Sequence, residues 1–143
     1  MTDYISFTIP GRPIPMARKV IRTRSGQPRI MITMRSQVWQ KQARLLVSVA
    51  YDGKGPIEGP VAAHFRFYFL PPKSWSKKKR QDALAGKIRP TSKTREGDSS
   101  NILKNAEDVL MPTVIKDDSL IVESSQSKHY DTEERVEIMV RAI

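Results

Sequence analysis

Residues 95–123 read REGDSSNILKNAEDVLMPTVIKDDSLIVE. Ile102, Leu103, Ala106, Val109 and Leu110 recur at helical spacing, which predicts a helix over 99–110 with these side chains in the core. Pro112 ends it. Asn101, Lys104, Glu107 and Asp108 share the other side, toward the end that Asp98 occupies. Asp117-Asp118-Ser119 is turn chemistry, and Leu120-Ile121-Val122 behind it opens a strand over 119–126. A one-faced helix feeding an apolar strand through a short turn is an α/β connection.

Outward from this segment the pattern is consistent. Residues 3–9 alternate like a half-buried strand, and Pro10, Gly11, Pro13 and Pro15 stop it. Residues 16–29 read as a basic loop around a Ser25-Gly26 turn, and 30–33 as a short strand. Residues 36–51 read as a helix capped by Ser36, with Val38, Trp39, Gln42, Leu45, Leu46 and Val49 facing the core. Residues 61–70 alternate Phe65, Phe67 and Phe69 against His64, Arg66 and Tyr68, a strand closed by Pro71-Pro72. Residues 74–86 form a short Ser-capped helix ending at Gly86. Residues 134–142 form a last strand, joined to the one before by a polar KHYDTE turn holding His129. The expectation is α/β: one small domain, residues 1–143, with a mixed β-sheet packed with helices.

Composition excludes much. The chain has no cysteine, so it has no disulfide scaffold, thiol nucleophile or thiolate metal site. Its two histidines exclude a histidine-rich zinc site, so any metal would be held by oxygen. No apolar run approaches the roughly 20 residues of a membrane span. MTDYISFTIPGRP lacks a basic stretch followed by an apolar one, so no export signal is expected.

The net charge of +10 is unevenly divided. Residues 1–95 carry 20 Lys/Arg against 4 Asp/Glu, a net of +16; residues 96–143 carry 5 against 11, a net of −6. Phosphates attract the first part and repel the second. Either the acidic third is a solvated face, or it holds cations that in turn hold phosphate. Both readings stay open for Asp98, which is also a natural helix cap. They stay open for Asp117-Asp118 too, since Mg²⁺ takes one or two carboxylates with water and substrate phosphate.

These residues resemble the RusA family of Holliday-junction resolvases. The family pattern runs approximately K-P-D-x-D-N-L-x-K-A-x-x-D-A-L, a short turn, then D-D-[AS]-x-[IV]-V. The corresponding residues are Gly97-Asp98-Ser99-Ser100-Asn101-Ile102-Leu103-Lys104-Asn105-Ala106-Glu107-Asp108-Val109-Leu110 and Asp117-Asp118-Ser119-Leu120-Ile121-Val122. The N-terminal FTIPGRPIPMARKVIRTRSG is similar to the family's strand and basic, proline-bearing loop. The resemblance implies a homodimer that cleaves branched DNA, four-way junctions above all, with Mg²⁺ or Mn²⁺. It implies catalytic roles for Asp98, Lys104 and Asp118, with Asp117 beside the metal and Asn101 and Asp108 as supporting motif positions. It also implies a cytoplasmic, bacterial or phage-encoded enzyme.

One departure matters: the second motif aspartate is Ser100. Glu107, two turns along the same stripe, is the candidate replacement ligand. DNA backbone contacts are expected from Arg18, Lys19, Arg22 and Arg24, from Lys77, Lys78, Lys79 and Arg80, and from Lys93 and Arg95. Trp39, Trp75 and His64 read as packing residues. The competing reading is a weakened or inactive branched-DNA-binding protein of the same fold. A basic structural protein of a ribonucleoprotein is a third.

Overall fold

The computed structural model describes residues 4–52 and 54–143. The elements are β1 (Ile5–Pro10), β2 (Arg18–Arg22), β3 (Pro28–Ile32), α1 (Met34–Tyr51), β4 (Val61–Phe69), α2 (Lys77–Leu84), α3 (Ser99–Val109), β5 (Ile121–Tyr130) and β6 (Arg135–Ala142). Four strands form one mixed sheet in the order β1-β6-β4-β5. β6 runs antiparallel to both β1 and β4, whereas β5 runs parallel to β4. The α/β expectation with a mixed sheet therefore holds.

β4 lies inside the sheet, and its Phe65, Phe67 and Phe69 are at most 1% exposed on one side of it. Each contributes on the order of 2 kcal/mol by leaving water. Phe7, Ile9, Val136, Ile138 and Val140 continue that layer, and Ile102, Ala106, Val109 and Leu110 of α3 close over it. A parallel pair cannot be joined by a tight turn. The connection from β4 to β5 must return to the start of β4, and it carries α2, α3 and the Asp117-Asp118 turn. The topology thus brings both halves of the acidic motif into one crossover.

Several local expectations change. The Ser25-Gly26 turn and the short strand after it hold, but the basic stretch before the turn is not all loop: it contains β2, which forms a separate two-stranded hairpin with β3, Val20 paired with Ile30. Only two apolar residues mark β2, too few for periodicity to show. α1 starts earlier than predicted, capped by Thr33, and Ser36 is buried within its first turn. The apolar stripe assigned to the core faces outward instead. Val38, Leu45, Leu46 and Val49 are 45–70% exposed, while Ser36, Gln40, Ala43, Val47 and Tyr51 form the buried face. Small residues let α1 approach α3 closely, and polar Ser36 and Gln40 find partners from distant chain. The last two strands are not a hairpin, because β4 lies between them.

Candidate nucleic-acid and metal site

The site is built around α3. Asp98 caps it, and Asp98 Oδ1 accepts hydrogen bonds from the Ser100 amide and the Ser100 hydroxyl, both at 3.2 Å. The cap role considered from sequence is therefore real, and it falls to Asp98 rather than to Ser99 or Ser100. Oδ2 has no hydrogen-bond partner among the described residues, and Asp98 is exposed. Where the family pattern has a second carboxylate, the Ser100 hydroxyl steadies the first one.

Gly97 enters the helix at φ +94°, a conformation closed to proline, so the entry differs from the Pro-Asp of the family pattern. A Cβ at Gly97 would lie 2.9 Å from Pro15 Cγ. The Ile14–Ala17 segment is held against α3 by two bonds. Met16 donates its amide to the Asn101 carbonyl at 3.0 Å, and Asn105 Nδ2 donates to the Ile14 carbonyl at 2.9 Å. The result is a cleft of about 540 Å³ lined by Pro15, Met16, Ala17, Lys93, Gly97, Asp98, Asn101 and Lys104. An exposed carboxylate and two lysines share it.

Beyond the cleft lies a second group. Lys104 Nζ donates to Asp118 Oδ2 at 3.0 Å and lies 3.6 Å from Asp108 Oδ1. The Asp118 hydrogen bond is the main cause raising the Lys104 pKa, so the side chain is a firm ammonium. Asp108 is steadied in turn by Gln40 Nε2 at 3.4 Å. Burial pushes the Glu107 pKa up, opposed by Lys104 and assisted by Asp118 and Asp108. Glu107 therefore responds to the Asp118 group, and Asp98 is not among the charges acting on it. Asp117 is exposed, and its carboxylate is held low chiefly by the Ser119 hydroxyl.

Among the described residues, no three His, Asp or Glu side chains gather closely enough to hold a metal ion by themselves. Both histidines are engaged on the other face of the sheet. His64 bonds Tyr4 and Ser125. His129, expected in a solvated turn, lies in β5, half-buried and stacked on Tyr68 at 5.0 Å. The donors near α3 are all hard oxygens, with Asp98 and Asp118 reachable from solvent. Such a set suits Mg²⁺, which completes its shell with water and phosphate.

The basic residues divide as follows. Arg22 and Arg24 are exposed on the β2–β3 hairpin, and Lys93 lines the cleft. The side chains of Arg18 and Lys19 lie outside the described ones. Lys77, Lys78, Lys79 and Arg80 are exposed on α2, but Lys78 pairs with Asp82 at 3.9 Å and Lys79 lies 4.1 Å over the Trp75 ring. Arg95 also covers Trp75 and pairs with Glu96 at 3.3 Å. Trp39 and Trp75 pack against the core.

Sequence reading missed Glu96, Gln40 and Asn105. Glu96 is 2% exposed and accepts from the Ser92 amide and the Tyr130 hydroxyl, both at 3.3 Å. It thereby pins the loop that presents Lys93, Gly97 and Asp98. Asn105 is fully buried and accepts from Gln40 Nε2 at 2.7 Å. The one available signal was Asn105 on the apolar side of α3, where the family pattern has alanine.

The family model described as endodeoxyribonuclease RusA matches residues 10–141. An uncharacterized protein of Bacillus subtilis, YqaN, is 36% identical over 143 residues, covering 99% of this chain and 98% of its own length.

Proposed function

This chain belongs to the RusA endodeoxyribonuclease family, and from that premise we propose that it resolves four-way DNA junctions and related branches by Mg²⁺-dependent phosphodiester hydrolysis, with Mn²⁺ able to substitute. One observation carries the reading: Asp98, Lys93 and Lys104 line one open cleft. A cleft that offers a carboxylate to a cation and ammonium groups to phosphate suits a metal-assisted nuclease.

In this reading Asp98 and Asp118 would offer the carboxylates to the metal, with water and substrate phosphate completing its shell, and Asp117 and Glu107 would act through water as outer oxygen donors, since no three described carboxylates gather closely enough to bind directly. Mg²⁺ bound there supplies an acidified water and neutralises charge at phosphorus. Lys104 does not act as a base, because its pairing with Asp118 keeps it protonated. Its fixed charge stabilises charge developing on the scissile phosphate. Asp108 and Asp118 orient that ammonium, and Asn101 lines the same wall. Arg22 and Arg24 on the hairpin and the α2 lysines follow the DNA backbone and supply salt-dependent affinity. No described helix is long and apolar enough to cross a membrane, and the working partner is branched DNA. A homodimer gives a two-fold junction one site for each of two symmetry-related strands. The setting is the cytoplasm of a bacterium, from a bacterial or phage gene.

The test is cleavage of a synthetic four-way junction with Mg²⁺ against EDTA, for the native chain and Asp98→Asn. Metal-dependent cutting that Asp98→Asn abolishes is the expected result; metal-independent cutting refutes the mechanism. The second reading, a weakened branched-DNA-binding protein, is favoured by Ser100. Junction binding without cutting, with cutting gained in Ser100→Asp, would support it. Unchanged cutting in Glu107→Gln removes Glu107 as the replacement ligand.

A further inference from the structure

The face of the sheet turned away from the core carries a polar cluster. Arg66 and Tyr68 of β4 alternate with buried Phe65, Phe67 and Phe69 and so lie on that other face. Their parallel partners there are Ser127 and His129 of β5. The His129 ring stacks on Tyr68 at 5.0 Å, and its Nε2 lies 2.7 Å from the Ser127 hydroxyl. Arg66 stands exposed beside them, its guanidinium without a hydrogen-bond or ion-pair partner among the described residues.

A second guanidinium comes from the sheet edge. β5 has only β4 beside it, so carbonyls on its outer edge have no strand to meet them. Arg89, exposed in the segment after α2, donates Nε to one of these, the Lys128 carbonyl, at 2.6 Å. That bond fixes the group and leaves its two outer nitrogens without a partner among the described residues. Both arginines act on one imidazole: after burial, Arg89 and then Arg66 hold the His129 pKa down, with Glu137 opposing and Arg135 assisting. Glu137 is already engaged, accepting from Arg135 Nε at 3.0 Å and from the Tyr68 hydroxyl at 3.2 Å. Two cations therefore share one spot with no carboxylate of their own. An anion bound between them relieves their repulsion, and the planar guanidinium fork matches phosphate oxygens two at a time.

The surroundings say which phosphate. Lys128, whose carbonyl holds Arg89, donates Nζ to the Gly97 carbonyl at 3.5 Å, and Gly97 lines the Asp98 cleft. Arg89 and cleft-lining Lys93 are four residues apart, at most about 14 Å of chain. The cluster thus lies across β5 from the cleft, within reach of the same DNA strand. We propose that Arg66 and Arg89 together bind one backbone phosphate of the DNA arm that leaves the Asp98 cleft over the edge of β5. Such a contact reads no bases and fixes the direction of the arm. It rests on the nuclease reading for its DNA; its test is binding and needs no cleavage.

A fluorescent four-way junction is titrated with the full chain in EDTA, and its anisotropy is followed over a range of salt concentrations. Losing one neutralised phosphate lowers the log–log slope by about 0.9, which is an eightfold loss of affinity at 0.1 M salt that closes toward 1 M. The variant with Arg66→Gln and Arg89→Gln should show both effects with an unchanged circular dichroism spectrum. The variant with Arg66→Lys and Arg89→Lys keeps both charges and should keep the native slope; a lost slope there overturns the site. Native affinity and slope in the glutamine variant overturn the site and leave the nuclease reading standing. Weaker binding with the native slope also overturns it, because a disturbed fold and not a lost phosphate gives that result. Inorganic phosphate that raises the melting temperature of the native chain alone, with equal junction affinity in both, assigns the cluster to a small phosphate ester and overturns the DNA contact. No junction binding by the native chain overturns the site and the nuclease reading together.

Discussion

Replacing Asn105 by alanine restores the residue of the family pattern, yet in this chain it should be strongly destabilising. Asn105 is fully buried. Its amide nitrogen donates to the Ile14 carbonyl at 2.9 Å, and its amide oxygen accepts from Gln40 at 2.7 Å. Truncation strands a carbonyl and an amide N–H where water does not reach. Each unsatisfied group costs about 1–3 kcal/mol, though Gln40 keeps a longer contact to Asp108 at 3.4 Å. The small cavity adds to this, giving a total of about 3–4 kcal/mol. A chain of this length is stable by about 5–15 kcal/mol, so the loss is a large fraction. The assay is urea unfolding followed by circular dichroism, run as a cycle with Gln40→Leu. Gln40→Leu removes the donor, so the two losses should fall short of additivity by about 1 kcal/mol or more. A loss below about 1 kcal/mol for Asn105→Ala, or simple additivity, would refute the reasoning.

Lys104→Met should lower junction cleavage by about 100-fold or more while leaving junction affinity within a few-fold, since one fixed charge at a reacting phosphate is worth about 3 kcal/mol; equal losses in binding and cutting would count against this. Glu107 has its pKa raised by burial, so folding favours its protonated form. The native chain should therefore gain stability relative to Glu107→Gln as pH falls through the carboxylate range, with the variant the more stable at pH 7; urea midpoints at pH 7 and pH 4 check the sign. Gly97→Ala should cost about 1–2 kcal/mol, because φ +94° is unfavourable for alanine and its Cβ meets Pro15; an unchanged melting temperature contradicts it. Junction affinity should fall steeply with salt, each neutralised phosphate adding about 0.9 to the log–log slope; a flat dependence excludes the basic hairpin and α2 as backbone contacts.

Much of this was legible along the chain. The alternation of Phe65, Phe67 and Phe69 needs no partner to be read, and it gave the core strand. The apolar side of α3 followed the 3.6-residue period, and Ile102, Ala106, Val109 and Leu110 are all buried. The break in charge at residue 95 and the two acidic blocks marked where the candidate site would lie, because local residue types carry that information. The turn at Gly26 and the strand after it were legible, but β2 was not, since only Val20 and Ile21 interrupt its run of basic residues.

The orientation of α1 shows what the linear pattern could not contain. Its most hydrophobic stripe is at the surface, and its buried face includes a serine and a glutamine. Ser36 donates to the Pro15 carbonyl and Gln40 to Asn105, 21 and 65 residues away in sequence. A polar side chain can be buried only where a partner meets it, and the partner's position is a property of the fold. The same holds at the site. The family resemblance, laid on the acidic pattern, named Asp98, Lys104 and Asp118 as candidate site residues. Only the crossover between parallel β4 and β5 brought Lys104 to within 3.0 Å of Asp118, and only the packing of Pro15 on Gly97 opened the Asp98 cleft, because a contact across the chain is decided by how the elements pack.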